Sequence, residues 1–303
     1  MKHISLTIIT AMFVVAACIS CSKQTELAKN STDWDYYDLK GKVKELHTNC
    51  YNAIIGENNA FTKGALRYTQ VIYFSPEGKI EHVEFHNPSR GIFNKSEYTY
   101  SDNGLTVTDM TNDSITGITA YTYTEWNAQK EFIVYNSDGR ILIHSERFYD
   151  DNHLLIKENN YSGDEVQSYK TDYVYNKNKL VESYIELLQS IELDPNTLEL
   201  VKDKYKPFKS HTFKYDKAGR QIEACEYNAT GFLTFKETDT YNKDGLVTSK
   251  EFEYEGGGSR TDYQYEAFDK QGNYTIRKQS SPLTSYGNVI DERTIIYYLE
   301  SEK

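Results

Sequence analysis

The 303-residue chain is acidic, with 45 Asp and Glu residues against 34 Lys and Arg, and 38% of its residues are hydrophobic. That apolar fraction argues against a bundle of transmembrane helices, whereas 27 Tyr and 13 Phe are too many aromatic residues for a disordered chain. The formal net charge of −11 argues against a nucleic-acid surface, because such surfaces depend on Lys and Arg. We therefore expect a folded protein with no nucleic-acid partner.

The first residues have the features of a bacterial secretion signal. Lys2 precedes the apolar run 4–17, which is too short to span a bilayer as a stable helix. The run ends in a branched residue, two small residues and Cys18, which resembles a lipobox, the motif whose cysteine is lipidated. We expect lipidation at Cys18, with Cys21 as the alternative and an ordinary cleaved signal peptide as the third possibility.

These features predict three regions. Residues 1–17 form the lipoprotein signal peptide, residues 18–37 the lipid anchor and a polar tether, and residues 38–303 the folded domain. More than one acyl chain is enough for stable anchoring, so the expected location is the cell envelope, at the outer membrane. In such an oxidising compartment Cys50 and Cys225 can form a disulfide, although two cysteines so far apart in sequence give no framework signal.

The body of the chain is a repeat. A five-residue motif recurs at intervals of about 13 residues, and two intervals make a double unit. The motif is an aromatic residue, a short polar residue, two further residues and Gly. The polar residue can bond its own backbone two residues on, and Gly supplies the positive φ of a hairpin loop. Seven full or near-full copies begin at Phe74, Tyr100, Tyr135, Tyr215, Tyr227, Tyr241 and Phe268, and weaker copies begin at Tyr123, Tyr149, Tyr161, Tyr175 and Tyr254.

Alternating segments of eight or nine residues separate the turns and predict strands. Before many turns lies an aromatic-x-aromatic step, whose two rings share one face of a strand. Two interpretations are open: a core-facing ladder of cross-strand aromatic pairs, which the regular spacing favours, or a stacking platform for sugars or bases. The steps are Tyr98 with Tyr100, Tyr121 with Tyr123, Tyr173 with Tyr175, Phe213 with Tyr215, and Phe252 with Tyr254.

The segment Tyr215-Asp216-Lys217-Ala218-Gly219-Arg220 and its relatives resemble the YD repeats of RHS-type bacterial proteins. The segments 38–44 and 293–298 are similar to predicted lipoproteins of the Bacteroidota that carry such repeats. The resemblance implies a β-strand shell or wrap. In RHS-type proteins the enzymatic part, where one exists, is a separate C-terminal toxin, and because only residues 299–303 follow Tyr298 we expect no toxin here. The expected fold is all-β: a repetitive antiparallel meander of about 13-residue strand-turn units in an elongated, rolled or twisted sheet.

One stretch, at about 184–209, interrupts the period. Asp194-Pro195-Asn196-Thr197 is a turn signal between two alternating runs, which predicts an elongated hairpin, with a short helix over 184–192 as the lesser alternative. Insertions into repeats often lie on the binding face. The candidate partner-binding residues are Leu187, Leu188, Ile191, Leu193, Leu198 and Leu200.

The sequence offers no catalytic motif and indicates no cofactor. The strongest metal candidate is the set His82, Glu84 and His86, which would share one face of a strand. The outer pair would lie too far apart on a straight strand to share one ion, so a solvated polar face is favoured and no metal is expected.

The sequence therefore predicts a lipid-anchored, non-enzymatic envelope protein that binds a partner protein or a glycan. The alternative is an RHS-like shell or accessory component of a secretion or interbacterial antagonism system, and an enzyme is a third possibility.

Overall fold

The computed structural model describes residues 32–56, 60–163, 168–193, 200–281 and 287–299. This part of the chain contains one short helix and eighteen strands, as the all-β prediction requires. The helix α1 is Asp33–Tyr36. The strands are β1 Val43–Ile55, β2 Phe61–Phe74, β3 Ile80–Asn87, β4 Ile92–Ser101, β5 Gly104–Thr111, β6 Ser114–Tyr123, β7 Gln129–Asn136, β8 Ile141–Tyr149, β9 Leu155–Ser162, β10 Ser168–Tyr175, β11 Val181–Leu193, β12 Leu200–Tyr215, β13 Gln221–Asn228, β14 Leu233–Tyr241, β15 Val247–Tyr254, β16 Gly257–Phe268, β17 Tyr274–Ser280 and β18 Val289–Tyr297.

Each strand pairs antiparallel with its neighbours in sequence, which confirms the predicted meander. The sheet is not open, however. β1 pairs with β18 as well as with β2, with Val43 opposite Tyr297 and Leu46 opposite Ile295. The expectation of an elongated rolled sheet is corrected here to a closed barrel. Closure satisfies the backbone groups that two free edge strands would expose.

The repeated turns have the predicted chemistry. In the turn after β12 the Asp216 carboxylate accepts the backbone N–H groups of Ala218 and Arg220 at 2.8 and 3.0 Å, and Gly219 has φ +79°. Asn242 and Asp269 accept the same two bonds in their own turns. In three weaker copies a residue other than Gly takes positive φ at the fifth position: Asn127, His153 and Lys179.

Two of the predicted turn copies that the structure describes in full have another geometry, and the copy that begins at Tyr161 lies partly outside the described residues. After Tyr100 the hairpin closes with Ser101 opposite Gly104, and Gly104 lies within β5 without positive φ. After Tyr254 the loop is likewise two residues long, with Tyr254 opposite Gly257. In both hairpins the strand pairing extends to the residues that flank the loop, because a tight turn needs only two central residues.

The turns divide the barrel into two ends. We call the end with the turns after even-numbered strands the capped mouth, because residues 32–42 fold over it, and the opposite end the far mouth. Trp34 packs against Phe74, and its indole N–H donates to the Val43 carbonyl at 2.8 Å. Gly78 is required there, since a Cβ atom would lie 2.7 Å from the Trp34 ring. The buried hydrophobic cluster at this mouth consists of Trp34, Leu39, Val43, Leu46, Ile72, Phe74 and Ile80.

The cap corrects the predicted boundary of the tether. Residue 34 falls in the segment assigned to the polar tether, but Trp34 is a buried core residue. The Asp33 carboxylate also accepts the Ile80 N–H at 2.7 Å. The folded unit therefore includes α1 and the residues after it.

Two hairpins extend past their neighbours at the far mouth. β11 and β12 pair as far as Leu193 opposite Leu200, whereas β10 begins to pair with β11 only at Tyr169 opposite Leu188. This confirms the predicted elongated hairpin over the helical alternative. The β1–β2 hairpin is long as well, which the sequence did not suggest. Within the described residues no helix is long and apolar enough to cross a membrane.

The two cysteines of the barrel are both free and buried. Cys50 lies on β1 and Cys225 on β13, strands that are not neighbours in the sheet. The disulfide considered in the sequence analysis is therefore not formed in this structure.

Candidate functional site: the barrel interior

The inner face of the barrel can be followed strand by strand from the pairing register. Leu46 of β1 lies opposite Ile72 of β2, which lies opposite Val83 of β3, and these side chains point toward the cap. Because successive side chains alternate between faces, every second residue of each strand belongs to this inner wall. The eight residues of the first four predicted aromatic steps lie on it: Tyr98, Tyr100, Tyr121, Tyr123, Tyr173, Tyr175, Phe213 and Tyr215.

These rings pack on their neighbours but do not form a dry core. Tyr184 lies 5.4 Å from Tyr173 and 5.7 Å from Phe213, measured between ring centroids. Seven of the eight ladder residues are half-buried, and Tyr100 is 41% exposed. In barrels of about sixteen or more strands the wall side chains no longer fill the interior. The ladder therefore lines an accessible inner surface and also joins neighbouring strands.

The tyrosine hydroxyls have a second role. The last tyrosine before a turn donates to the carbonyl of the first residue of the preceding strand, as Tyr241 does to Gln221 at 2.7 Å. The same bond joins Tyr149 to Gln129, Tyr175 to Leu155, Tyr215 to Val181 and, three residues before its turn, Tyr265 to Val247. Burial raises the pKa of Tyr241 to about 12, so the hydroxyl stays a neutral donor.

Charged side chains on the inner wall are largely paired across adjacent strands. Arg147 of β8 donates to Glu158 of β9 at 2.8 Å, and their side chains are only 15% and 12% exposed. His211 of β12 lies 3.1 Å from Glu186 of β11. The outer-wall pair Lys214 and Glu223 is far more accessible, with the lysine 70% exposed.

One inner cluster holds two carboxylates around a single lysine. Lys250 of β15 contacts both Glu237 and Asp239 of β14, with 3.0 Å to Asp239. Burial, opposed by Lys250 and reinforced by Glu237, raises the pKa of Asp239 to about 6. The Asp239 carboxyl therefore keeps its proton to a higher pH than an ordinary aspartate.

A second inner cluster lies between β17 and β18. Arg277 donates twice to Asp291 Oδ2, at 2.6 and 3.1 Å, and its guanidinium lies 5.4 Å from the Tyr263 ring centroid. Arg293 follows Asp291 on the same inner face, with its guanidinium 3.8 Å from the Tyr274 ring centroid. Asp291 thus bonds to Arg277, whereas Arg293 contacts the face of Tyr274 and forms no hydrogen bond within the described residues.

The Cys50 thiol borders this second cluster, opposite Asp291 in the β1–β18 register. Burial, followed by the charge of Asp291, raises the pKa of the thiol to about 12. The protonated thiol is therefore a small buried group without the thiolate character that reactive cysteines need.

The predicted metal candidates lie on the outer wall. His82, Glu84 and His86 share one face of β3, as expected, and His82 Nε2 lies 3.7 Å from Glu84 Oε1. The His82 ring stacks on Tyr73 at 4.0 Å between centroids. Across the described ranges there is no group of three or more His, Cys, Asp or Glu residues arranged to hold a metal ion.

The structure describes only some of the side chains predicted to bind a partner. Leu187 and Leu188 are half-buried and lie opposite Pro207 and Lys206 in the β11–β12 hairpin. Leu198 lies outside the described residues, as do the side chains of Ile191, Leu193 and Leu200. The two cysteines proposed for lipidation, Cys18 and Cys21, also lie outside them.

The inner clusters were missed from sequence. Arg147, Lys250, Arg277 and Arg293 look like ordinary solvated charges, because an alternating strand does not reveal which face closes inward. The sequence did carry a weak signal for the hydroxyl bonds between strands. β8, β10, β12 and β14 each end in Tyr and not Phe, and only Tyr can donate a hydrogen bond to the neighbouring strand.

Comparisons with known proteins leave the function open. A family model described as "Uncharacterised protein" matches residues 194–303. No curated protein matches the chain. A solved structure titled a porin-like protein from Bacteroides uniformis is 12% identical with a TM-score of 0.45, and the match covers 85% of this chain and 99% of that one.

Two further structures are similar at the same low level. A porin-like protein from Bacteroides vulgatus is 11% identical with a TM-score of 0.36, covering 84% of this chain and 98% of that chain. A structure titled TcdB2-TccC3-Cdc42 is 13% identical with a TM-score of 0.34, covering 83% of this chain and 16% of that one. At these scores the likenesses are too distant to assign an activity.

Proposed function

We propose that this chain is a lipid-anchored protein of the bacterial cell envelope that binds a glycan inside its barrel and performs no catalysis. The observation that carries the proposal is the accessible aromatic lining of a closed barrel. Tyrosine and phenylalanine faces offer apolar area, and the polar groups between them offer hydrogen bonds, which together suit the two kinds of surface on a sugar ring.

The anchor is supported by the lipobox-like residues that end at Cys18. An intact-mass measurement of the mature protein from its native membrane tests it. The expected mass corresponds to an acylated chain that begins at Cys18. An acylated chain beginning at Cys21, or a chain with no acyl group, would contradict this assignment.

Glycan binding is tested by calorimetry with a panel of envelope and plant-wall oligosaccharides. Phe213→Ala removes an inner-wall ring and should weaken binding about tenfold, near the upper end of what one aromatic contact contributes. Phe148→Ala is the matched control, because Phe148 is 42% exposed on the outer wall. Equal loss in both variants, or no binding by any oligosaccharide, would reject an interior glycan site.

A second candidate is an RHS-like shell or accessory component that encloses polypeptide. It is favoured by the closure of the repeated units around an interior that carries both tyrosines and paired charges. The two long hairpins at the far mouth would then contact the partner. Deleting Leu188–Val201 shortens one hairpin, and loss of partner capture with unchanged thermal stability would favour this candidate over the glycan site.

A further inference from the structure

Two buried polar atoms on the inner face of β18 lack hydrogen-bond partners in the described part of the barrel. One is the acceptor Oδ1 of Asp291 and the other is the donor Nε of Arg293. The two residues are two positions apart on one strand, so their side chains project from the same wall about 7 Å apart. A buried donor or acceptor without a partner costs about 1–3 kcal/mol, so a complementary group would stabilise both.

Arg293 lies close enough to Asp291 to feel its negative charge, but it has no directly bonded counter-charge within the described residues. Its side chain forms no hydrogen bond or ion pair with any residue that the structure describes, while Asp291 Oδ2 is engaged by Arg277. Burial lowers the pKa of the Arg293 guanidinium, yet an arginine stays protonated. A buried cation without a bonded counter-charge favours a bound anion beside it.

The contact of Arg293 with Tyr274 limits the directions from which a ligand can bind it. The Arg293 guanidinium lies 3.8 Å from the centroid of the Tyr274 ring, and the side chain as a whole is half-buried, with its Nε atom buried. A planar guanidinium held by one face presents its N–H groups edge-on, which is the arrangement that binds a carboxylate with two parallel bonds.

We propose that Asp291 and Arg293 form a subsite for an acidic sugar, whose carboxylate binds Arg293 and whose hydroxyl donates to Asp291 Oδ1. The inference rests on the proposed glycan function and names the class of glycan. A simple inorganic anion would satisfy Arg293 alone, whereas a uronic acid carries an anion and a hydroxyl donor at the separation of a single ring or of two linked rings.

The test compares galacturonate, glucuronate and mannuronate trisaccharides with their methyl esters, which have the same hydroxyls but no charge. At least one acid form should bind ten or more times more tightly than its ester to the full-length protein in calorimetry. Arg293→Gln should remove that difference. Arg260→Gln is the matched control, because Arg260 lies on the outer wall between Glu251 and Asp262.

The outcomes separate the two proposals. Equal binding of acids and esters, or an unchanged preference in Arg293→Gln, overturns the acidic subsite and leaves glycan binding in place. Binding of neutral oligosaccharides only also overturns the subsite. If no sugar binds, both proposals are rejected. The acid-to-ester comparison uses the wild-type protein, so the result does not depend on the folding of the variant.

Discussion

The capped mouth and the β14–β18 wall are built from the same strand-turn repeat but carry different side chains on the inner face. At the capped mouth the inward positions hold Leu46, Ile72 and Phe74, which are at most 1% exposed beneath Trp34. Along β14–β18 the same inward positions hold Asp239, Lys250 and Arg277 in ion pairs. The turns and pairing are common to both regions, so the repeat builds the wall and the inward residues determine what the wall encloses.

The comparison predicts that the apolar region dominates stability. Trp34→Ala removes a buried ring and the hydrogen bond to the Val43 carbonyl, and should lower the free energy of unfolding by about 3–5 kcal/mol. Urea unfolding followed by circular dichroism measures the change. Phe148→Ala on the outer wall should cost about 1 kcal/mol or less. Similar losses in the two variants would show that the cap is not the main core.

The ionic lining should respond differently when one partner or both are removed. Arg147→Met leaves Glu158 charged and only 12% exposed, which should cost about 3 kcal/mol. The double variant Arg147→Met with Glu158→Leu should recover most of that loss, because no unpaired charge remains. At the exposed outer pair, Lys214→Met should cost about 0–1 kcal/mol. A double variant as unstable as the single one would mean that the pair itself stabilises the barrel.

The part of the fold that sequence predicts is the local part. The turn at Asp216 depends on bonds within five residues, so its chemistry and the flanking strands are readable from the chain. Closure depends on Val43 meeting Tyr297 at the opposite end of the sequence, and no short-range pattern encodes that contact. Trp34 shows the same limit of short-range patterns. Its neighbours in sequence are polar and resemble a tether, and only the folded structure shows the turn at Gly78 packed against its ring.

The candidate site was predicted only in its aromatic component. The regular spacing of Tyr173 and Tyr175 identified a shared face, and the structure turns that face inward. The charged residues of the inner wall could not be predicted, because Arg293 and the outer-wall Arg260 have equally polar neighbours in sequence. Only the closed register shows that one guanidinium lies over Tyr274 inside and the other pairs with carboxylates outside.

The tyrosine hydroxyls link the two regions, and removing one should have a moderate effect. Tyr241→Phe keeps the ring but leaves the Gln221 carbonyl without its 2.7 Å bond, which should cost about 1 kcal/mol. Tyr254→Phe is the control, because Tyr254 is 50% exposed and belongs to the two-residue hairpin. A zero difference between the variants in thermal unfolding would show that the hydroxyl bond contributes nothing net.

The smallest expected effect concerns pH and the Asp239 cluster. Burial raises the folded pKa of Asp239 from 3.8 to about 6, so between these values the folded state binds more protons than the unfolded state. This group therefore makes stability fall as pH rises from about 4 to about 6. The nearby charge of Lys250, 3.0 Å from the carboxylate, limits the size of the fall.

Asp239→Asn should remove that contribution, so that the variant gains stability relative to wild type as pH rises through this window. Urea unfolding at several pH values from 4 to 7 measures the difference, and Asp262→Asn on the more exposed outer wall, where Asp262 is 46% exposed, serves as control. If the curves for wild type and Asp239→Asn stay parallel, the attraction of Lys250 offsets burial. That outcome would show that Asp239 adds nothing to the pH dependence of stability between pH 4 and 7.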